Sequence, residues 1–452
     1  MREDDVKNRV KMHPVCACRP EKIFIRGTRS GSFGDCHCSF MKMNFARAGS
    51  LLLLLSLGAS GATLIAAPQS FSGATPLEWS QRLAAAEMTR RGDSLAWKPG
   101  GKAKWDYTAG LFTLSLLKVN EIAPDARYVA FATNAVGSFV STNGDIATYK
   151  REEFQLDALN PGKTMLGLWL TVTNPDQPRL FYGCVKLLDQ LRDQPRTPDG
   201  GFWHKQRYTN QMWLDGIYMA EPFYAAMGRF RMNPNSAYDE VAKQFRLIDA
   251  HTYDAKSGLN YHGWDAMKVQ PWANPQTGCS SNFWGRAEGW YAMALVDVLE
   301  NFPTNHPARG GMIKLLQKTA QGIVKWQDDP TGVWWQVMDA GERPGNYREA
   351  TASAMFVYAL AKGVNHGWLP REYVPAIKKG YAGILKNFIQ ADGEQSWSLT
   401  HCCAVAGLGG SPANGRYRDG SFDYYVGEPV VNNDLKGVGP FILAGIELEG
   451  LK

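Results

Sequence analysis

From residue 75 onward, apolar positions recur at three- and four-residue steps, and the chain reads as helical almost throughout. Leu180/Phe181, Cys184, Leu187/Leu188 and Leu191 share one face, with Lys186, Asp189 and Arg192 opposite. Val374, Ile377, Tyr381, Ile384 and Phe388 repeat the pattern, backed by Lys378, Lys379 and Lys386. Such stripes predict amphipathic helices with one wet side. Thr75-Pro76-Leu77-Glu78 is a capping box with proline at the first helical position. The stretches 212–230, 283–299 and 350–364 are apolar or small all round, which predicts helices buried on every face. About twelve helices are predicted: 76–91, 105–118, 126–140, 156–172, 178–194, 212–230, 235–254, 283–303, 308–328, 350–368, 371–390 and 436–450. Wet and dry types roughly alternate. That alternation predicts an all-α fold, an (α/α)6 barrel with a dry inner and a wet outer ring. An open helical solenoid is the alternative, but its repeats should be more alike in length. No linker rich in Pro, Gly or Ser interrupts 68–452, which therefore reads as one domain.

The segment before it reads differently. Lys42 and Arg47 precede the apolar run Leu51–Leu57, and Ser60-Gly61-Ala62 supplies small residues for cleavage. Residues 41–67 are thus read as a secretory signal peptide, and the protein as exported, to periplasm or medium. An uncleaved anchor is the alternative, and the strongly apolar part is short for one. Residues 1–40 read as an extension upstream of the true start, at Met41 or Met43. Their pairs Cys16/Cys18 and Cys36/Cys38 match no zinc spacing.

Composition changes meaning once 1–67 is set aside. The 452 residues carry 49 basic and 43 acidic side chains, a net charge of +6. Residues 1–67 hold 10 and 5 of these, so the remainder has 39 and 38, a net charge of +1. Neither figure suggests a nucleic-acid partner, which needs a concentrated basic stripe. Only Cys184, Cys279, Cys402 and Cys403 remain, and no disulfide is assumed between them. The 15 Trp stand out. They fit either a very large core or flat apolar surfaces for a flat ligand such as a sugar.

Polar residues gather where the dry helices begin: Asp106 and Tyr107, Asp157, Trp213 and Asp215, Trp284, Arg286, Glu288 and Trp290, then Arg348 and Glu349. If these helices form the inner ring and run the same way, their N-termini meet at one mouth. Aromatic faces and charged forks then share a cavity, a sugar-binding composition. Each residue has a plainer explanation. Asp215 and Asp157 sit where the helix dipole alone favours a carboxylate. The Trp side chains suit core packing. Arg286, in a dry helix, must pair with a protein carboxylate or an acidic ligand. His204, His251 and His262 lack metal-ligand spacing, so no metal and no cofactor is expected.

The run G-G-F-W-H-K-Q-R-Y-T-N-Q-M-W-L-D-G-I-Y-M-A at 200–220 resembles the unsaturated glycuronyl hydrolases of glycoside hydrolase families 105 and 88, most closely the unsaturated rhamnogalacturonyl hydrolases. The stretches 283–297, 349–360 and 417–441 agree, in order along the chain. The resemblance implies an (α/α)6 barrel and a hydration reaction. A residue protonates C4 of a C4=C5 double bond in a terminal uronic acid, water adds at C5, and the hemiketal opens to release the next sugar. By the same resemblance, Asp215 is the proton donor and water activator, and Asp157 assists it. His204, Lys205, Trp213, His262, Trp284, Arg286 and Trp290 contact substrate, as more faintly does Tyr107; Trp213 also lies beside the acid. Arg286 or Lys205 would hold the uronate carboxylate. A donor needs a raised pKa. Burial and the like charge of Asp157 act in that direction, while the helix N-terminus and Arg286 oppose it, so the sign stays open.

The expected partner is an acidic unsaturated oligosaccharide, with no membrane contact beyond the signal peptide, and a monomer or homodimer. Substrates of the ulvan type bearing unsaturated glucuronic acid, a sugar-binding barrel without catalysis, and a lyase or ordinary glycosidase on the same barrel are the other readings. Thr209, where the family has proline, and the loop 407–416 depart from the pattern.

Overall fold

The computed structural model describes residues 69–92, 95, 101–171, 177–231, 233–393, 396–410, 415 and 417–451. The extension and leader read from residues 1–67 lie outside them. Thirteen α-helices occur among the described residues: α1 (Pro76–Arg91), α2 (Tyr107–Ile122), α3 (Ala126–Ala135), α4 (Pro161–Thr171), α5 (Gln177–Asp193), α6 (Leu214–Gly228), α7 (Pro234–Thr252), α8 (Gly285–Asn301), α9 (Arg309–Lys325), α10 (Ala350–Asn365), α11 (Val374–Phe388), the short α12 (Phe422–Val426) and α13 (Leu435–Glu449).

The dry stretches form an inner ring. α2 packs on α4, α4 on α6, α6 on α8, α8 on α10, α10 on α13, and α13 returns to α2. Every residue of α8 from Gly285 to Leu299, and of α10 from Ala350 to Val364, is buried. Outside this ring, α3, α5, α7, α9 and α11 each lie against the inner helix that precedes them. α11 buries Ile377, Tyr381, Ile384 and Phe388, the predicted apolar stripe. The sixth outer place is filled by α1, packed on α13, so the first and last helices close the barrel. They approach closely at Gly445, where a Cβ would stand 2.1 Å from Ser80 Oγ and 2.5 Å from the Pro76 carbonyl. Ser80 Oγ donates to the Ile442 carbonyl at 2.9 Å across the same contact.

Helix starts follow the chemistry of their caps. The Thr75–Glu78 box is complete: Thr75 N–H donates to Glu78 at 2.7 Å and Glu78 N–H to Thr75 Oγ1 at 3.2 Å. Asp106, Glu349 and Asp434 each cap an inner helix through a side-chain oxygen. Two predicted starts differ. Residues 156–159 form a 3-10 turn ahead of α4, and 211–213 form a strand ahead of α6. Distant backbone sets both departures: Leu156 N–H goes to the His204 carbonyl, after which Ala158 and Asn160 close local 3-10 bonds, and Gln211–Trp213 pair with Gly263–Asp265.

Candidate active site

Three backbone hydrogen bonds string the predicted polar residues together. Leu156 N–H donates to the His204 carbonyl at 3.1 Å, His204 N–H to the Gln211 carbonyl at 2.9 Å, and Leu214 N–H to the His262 carbonyl at 3.0 Å. The last extends the antiparallel pairing of Gln211–Trp213 with Gly263–Asp265. Asp157, His204, Asp215 and His262 thus hang from one irregular ladder at the start of α6.

Two acid–base pairs result. His262 Nε2 lies 3.0 Å from Asp215 Oδ2. Neither atom has a well-directed hydrogen bond, so the contact is an electrostatic one at close range. Burial pushes the Asp215 carboxyl up, but His262, and behind it His204, pull harder and leave it below its ordinary value. The sign left open by the sequence is therefore downward. Asp157 does not act on Asp215 as a bare like charge. Its Oδ2 accepts from Lys205 Nζ at 2.5 Å and its Oδ1 lies 3.4 Å from His204 Nε2. It sits on the 3-10 turn, with Lys205 as its partner in place of helix capping. Lys205 is thereby held by a protein carboxylate. Burial holds the His204 ring down at about 4, so it is neutral near pH 7. His204 lies flat on Trp213, ring centroids 4.7 Å apart, and Tyr208 stacks on Trp213 at 4.6 Å. Gly216 makes room for it: a Cβ there would stand 2.9 Å from His204 Nδ1 and 3.0 Å from Leu156 Cδ1.

The α8 side is drier. Trp284 and Trp290 are each 1% exposed and pack in ring contacts, Trp284 with His262 and Tyr425, Trp290 with Tyr218 and Tyr107. These two indoles are packed into the core, while Tyr107, Tyr208 and Lys205 are half-buried. Arg286 is also 1% exposed. Its Nη1 donates to the Cys403 carbonyl at 2.5 Å, and its guanidinium lies over Trp284 at 4.8 Å. Burial opposes its charge, but Cys403, Glu349 and Asp434 outweigh it and hold the proton on. Glu349 in turn accepts from Cys403 N–H at 2.9 Å and Ala352 N–H at 2.6 Å. Arg286 and Glu349 together clamp the strand Cys402–Cys403 to the barrel mouth.

Sequence reasoning missed Tyr425. It lies in α12, inside a stretch the sequence marks as family-like, but no polarity or period distinguishes it there. Its hydroxyl is 2.7 Å from His262 Nδ1. Gln336 steadies it, donating to the Tyr425 carbonyl at 3.0 Å and accepting from Trp284 Nε1 at 3.2 Å. Thr209 is exposed beside the mouth, and much of the loop 407–416 lies outside the described residues.

Comparison with known proteins places this geometry. The profile of Glycosyl Hydrolase Family 88 matches residues 79–452. The chain is 40% identical to the Agrobacterium fabrum protein Atu3128 over 233 residues, 51% of this chain and 97% of that one. It is 28% identical over 297 residues to the Bacillus subtilis unsaturated rhamnogalacturonyl hydrolase YesR, covering 65% of this chain and 78% of that one. Among solved structures, a family 105 glycoside hydrolase from C. acetobutylicum ATCC 824 is 39% identical, with a TM-score of 0.76, over 82% of this chain and 99% of that one.

Proposed function

Because the chain belongs to glycosyl hydrolase family 88, we propose that it removes a terminal Δ4,5-unsaturated galacturonic acid from rhamnogalacturonan fragments by hydrating the C4=C5 bond. The observation that carries this reading is the Asp215–His262 contact of 3.0 Å, beside the Asp157–Lys205 pair and within the family-like run 200–220. One polar, slightly exposed cluster therefore offers a carboxyl for proton transfer, beside a neutral imidazole and a lysine–carboxylate pair.

In this scheme Asp215 gives its proton to C4, and positive charge develops at C5. Water adds there and loses a proton to the Asp215 carboxylate, which restores the acid. The hemiketal at C5 then opens and the aglycone sugar leaves. A carboxyl held low in the empty protein is a poor donor, and the substrate corrects this. An anionic uronate entering the cleft displaces water and adds a like charge, and both effects raise Asp215. Lys205, at the mouth and shared with Asp157, is the cation placed to meet that uronate. The galacturonic assignment is supported by the likeness to the rhamnogalacturonyl hydrolase YesR. Export through the 41–67 leader belongs to the same proposal, and the N-terminal sequence of secreted protein tests it.

The substrate assignment is tested by chromatography of digests of unsaturated rhamnogalacturonan and of unsaturated glucuronyl disaccharides. Release of rhamnose-terminated product from the first, at a kcat/KM well above that for the second, supports the reading. Preference for the glucuronyl substrate would replace galacturonic with glucuronic acid as the terminal sugar.

A further inference from the structure

The groups facing His262 on every side are Asp215 at Nε2, Tyr425 at Nδ1, the edge of Trp213 at 5.4 Å and the tilted Trp284 ring at 4.8 Å, with His204 beyond Trp213. Both rings of the Tyr425–His262 pair are fully buried. A buried hydroxyl is both donor and acceptor, and a neutral imidazole has one nitrogen of each kind. If Nδ1 carried the proton, two donors would meet at 2.7 Å unless the phenol turned away, and its own proton would then be buried without an acceptor among the described residues. If Nδ1 is bare, the phenol donates to it and both atoms of that contact are satisfied.

We propose that Tyr425 is a positioning residue of this site: its hydroxyl donates to His262 Nδ1, fixes the ring as the Nε2–H tautomer, and so keeps the ring proton on the nitrogen 3.0 Å from Asp215 Oδ2. Burial pushes the Tyr425 phenol well above its ordinary value, so it keeps the proton it donates across the working pH range. A bare Nε2 lone pair facing Oδ2 at 3.0 Å would repel the carboxylate, whereas an N–H stabilises it. Gln336 and the stack on Trp284, centroids 5.8 Å apart, hold the Tyr425 ring in place, so removing the hydroxyl alone leaves its packing intact.

This inference rests on the role given to Asp215, but its first readout does not depend on activity. The nitrogen resonances of His262 in 15N-histidine-labelled full-length protein, assigned by comparison with His262→Gln, report the tautomer directly. Near neutral pH the wild-type ring should be Nε2–H, and in Tyr425→Phe the Nδ1–H form should appear. On unsaturated uronide substrate, Tyr425→Phe should lower kcat by about tenfold, less than the factor of about 10²–10⁴ that the proton donor itself contributes. KM should change little, and the pKa seen in kcat/KM should move upward as Asp215 loses its donor. An Nδ1–H ring in the wild type, or an unchanged tautomer and pH profile in Tyr425→Phe, would overturn the proposal. A wild-type protein with the predicted tautomer but no action on any unsaturated uronide would instead overturn the proposed reaction.

Discussion

His262 Nε2 stands 3.0 Å from Asp215 Oδ2, and this contact favours the charged form of the carboxyl proposed as the acid. Binding of an anion should undo that. The pKa of the essential acid seen in kcat, which reports the complex, is therefore expected to lie above the one seen in kcat/KM, which reports the free protein. Activity in kcat/KM should rise as pH falls from neutrality. Full pH–rate profiles check this, and equal pKa values, or a lower one in kcat, would contradict it.

Asp215→Asn should fold and lose turnover by about 10²–10⁴-fold, the contribution of a general acid. Its stability should carry a pH signature. A carboxyl held low in the fold adds stability above its unfolded value of about 3.9 and loses it as pH falls through the folded value. The wild type should gain on Asp215→Asn as pH rises through that acid window. Melting curves across it decide the matter, and a pH-independent gap would contradict the charged resting state.

Lys205 shares Asp157 with His204, and its charge helps to hold that imidazole down at about 4. Lys205→Met removes one cation and leaves Asp157 to His204 alone. The His204 pKa should then rise, and a titration followed by NMR measures it. A ring that still titrates near the wild-type value would mean that burial alone sets its state.

Arg286 holds the Cys403 carbonyl at 2.5 Å in a buried site. Arg286→Ala should cost about 1.5–3 kcal/mol of stability, the range for a hydrogen bond to a charged group. Turnover should fall with it, because the 402–403 strand is one wall of the mouth. A variant with unchanged melting temperature and only a raised KM would show that Arg286 serves the ligand and not the wall.

Gly216→Ala would place a methyl 2.9 Å from His204 Nδ1. The ring is pinned by Trp213 and cannot yield far, so His204 and its contact with Asp157 should shift. Activity is expected to drop several-fold while the helix itself, which favours alanine by about 1 kcal/mol, holds its stability. Full activity would show that the His204 position is not critical.

Most of the fold was legible because its helices have long, strong periods. The stripe of α11 and the all-apolar α8 and α10 reveal their ring by composition alone, and the Thr75–Glu78 box marks the start of α1. The site was legible where a charge stands in a dry helix, as with Asp215 and Arg286. The 3-10 turn at 156–159 and the strand at 211–213 were not, because three- and four-residue bridges have no period of their own. The partner of Arg286 is a backbone carbonyl, which no side-chain pattern announces. The aromatic partners of Trp284 and Trp290, Tyr425 and Tyr218, are brought there only by the ring of helices. Tyr425 itself reaches His262 across the barrel mouth, a contact set by tertiary folding.

The central claim is that Asp215 drives hydration of a C4=C5 bond. Its most direct test is the ultraviolet absorbance of an unsaturated rhamnogalacturonan disaccharide during incubation with the protein. The account predicts steady loss of that absorbance with wild type and none with Asp215→Asn. Growth of absorbance on intact polymer, or cleavage that leaves the double bond in the product, would contradict it.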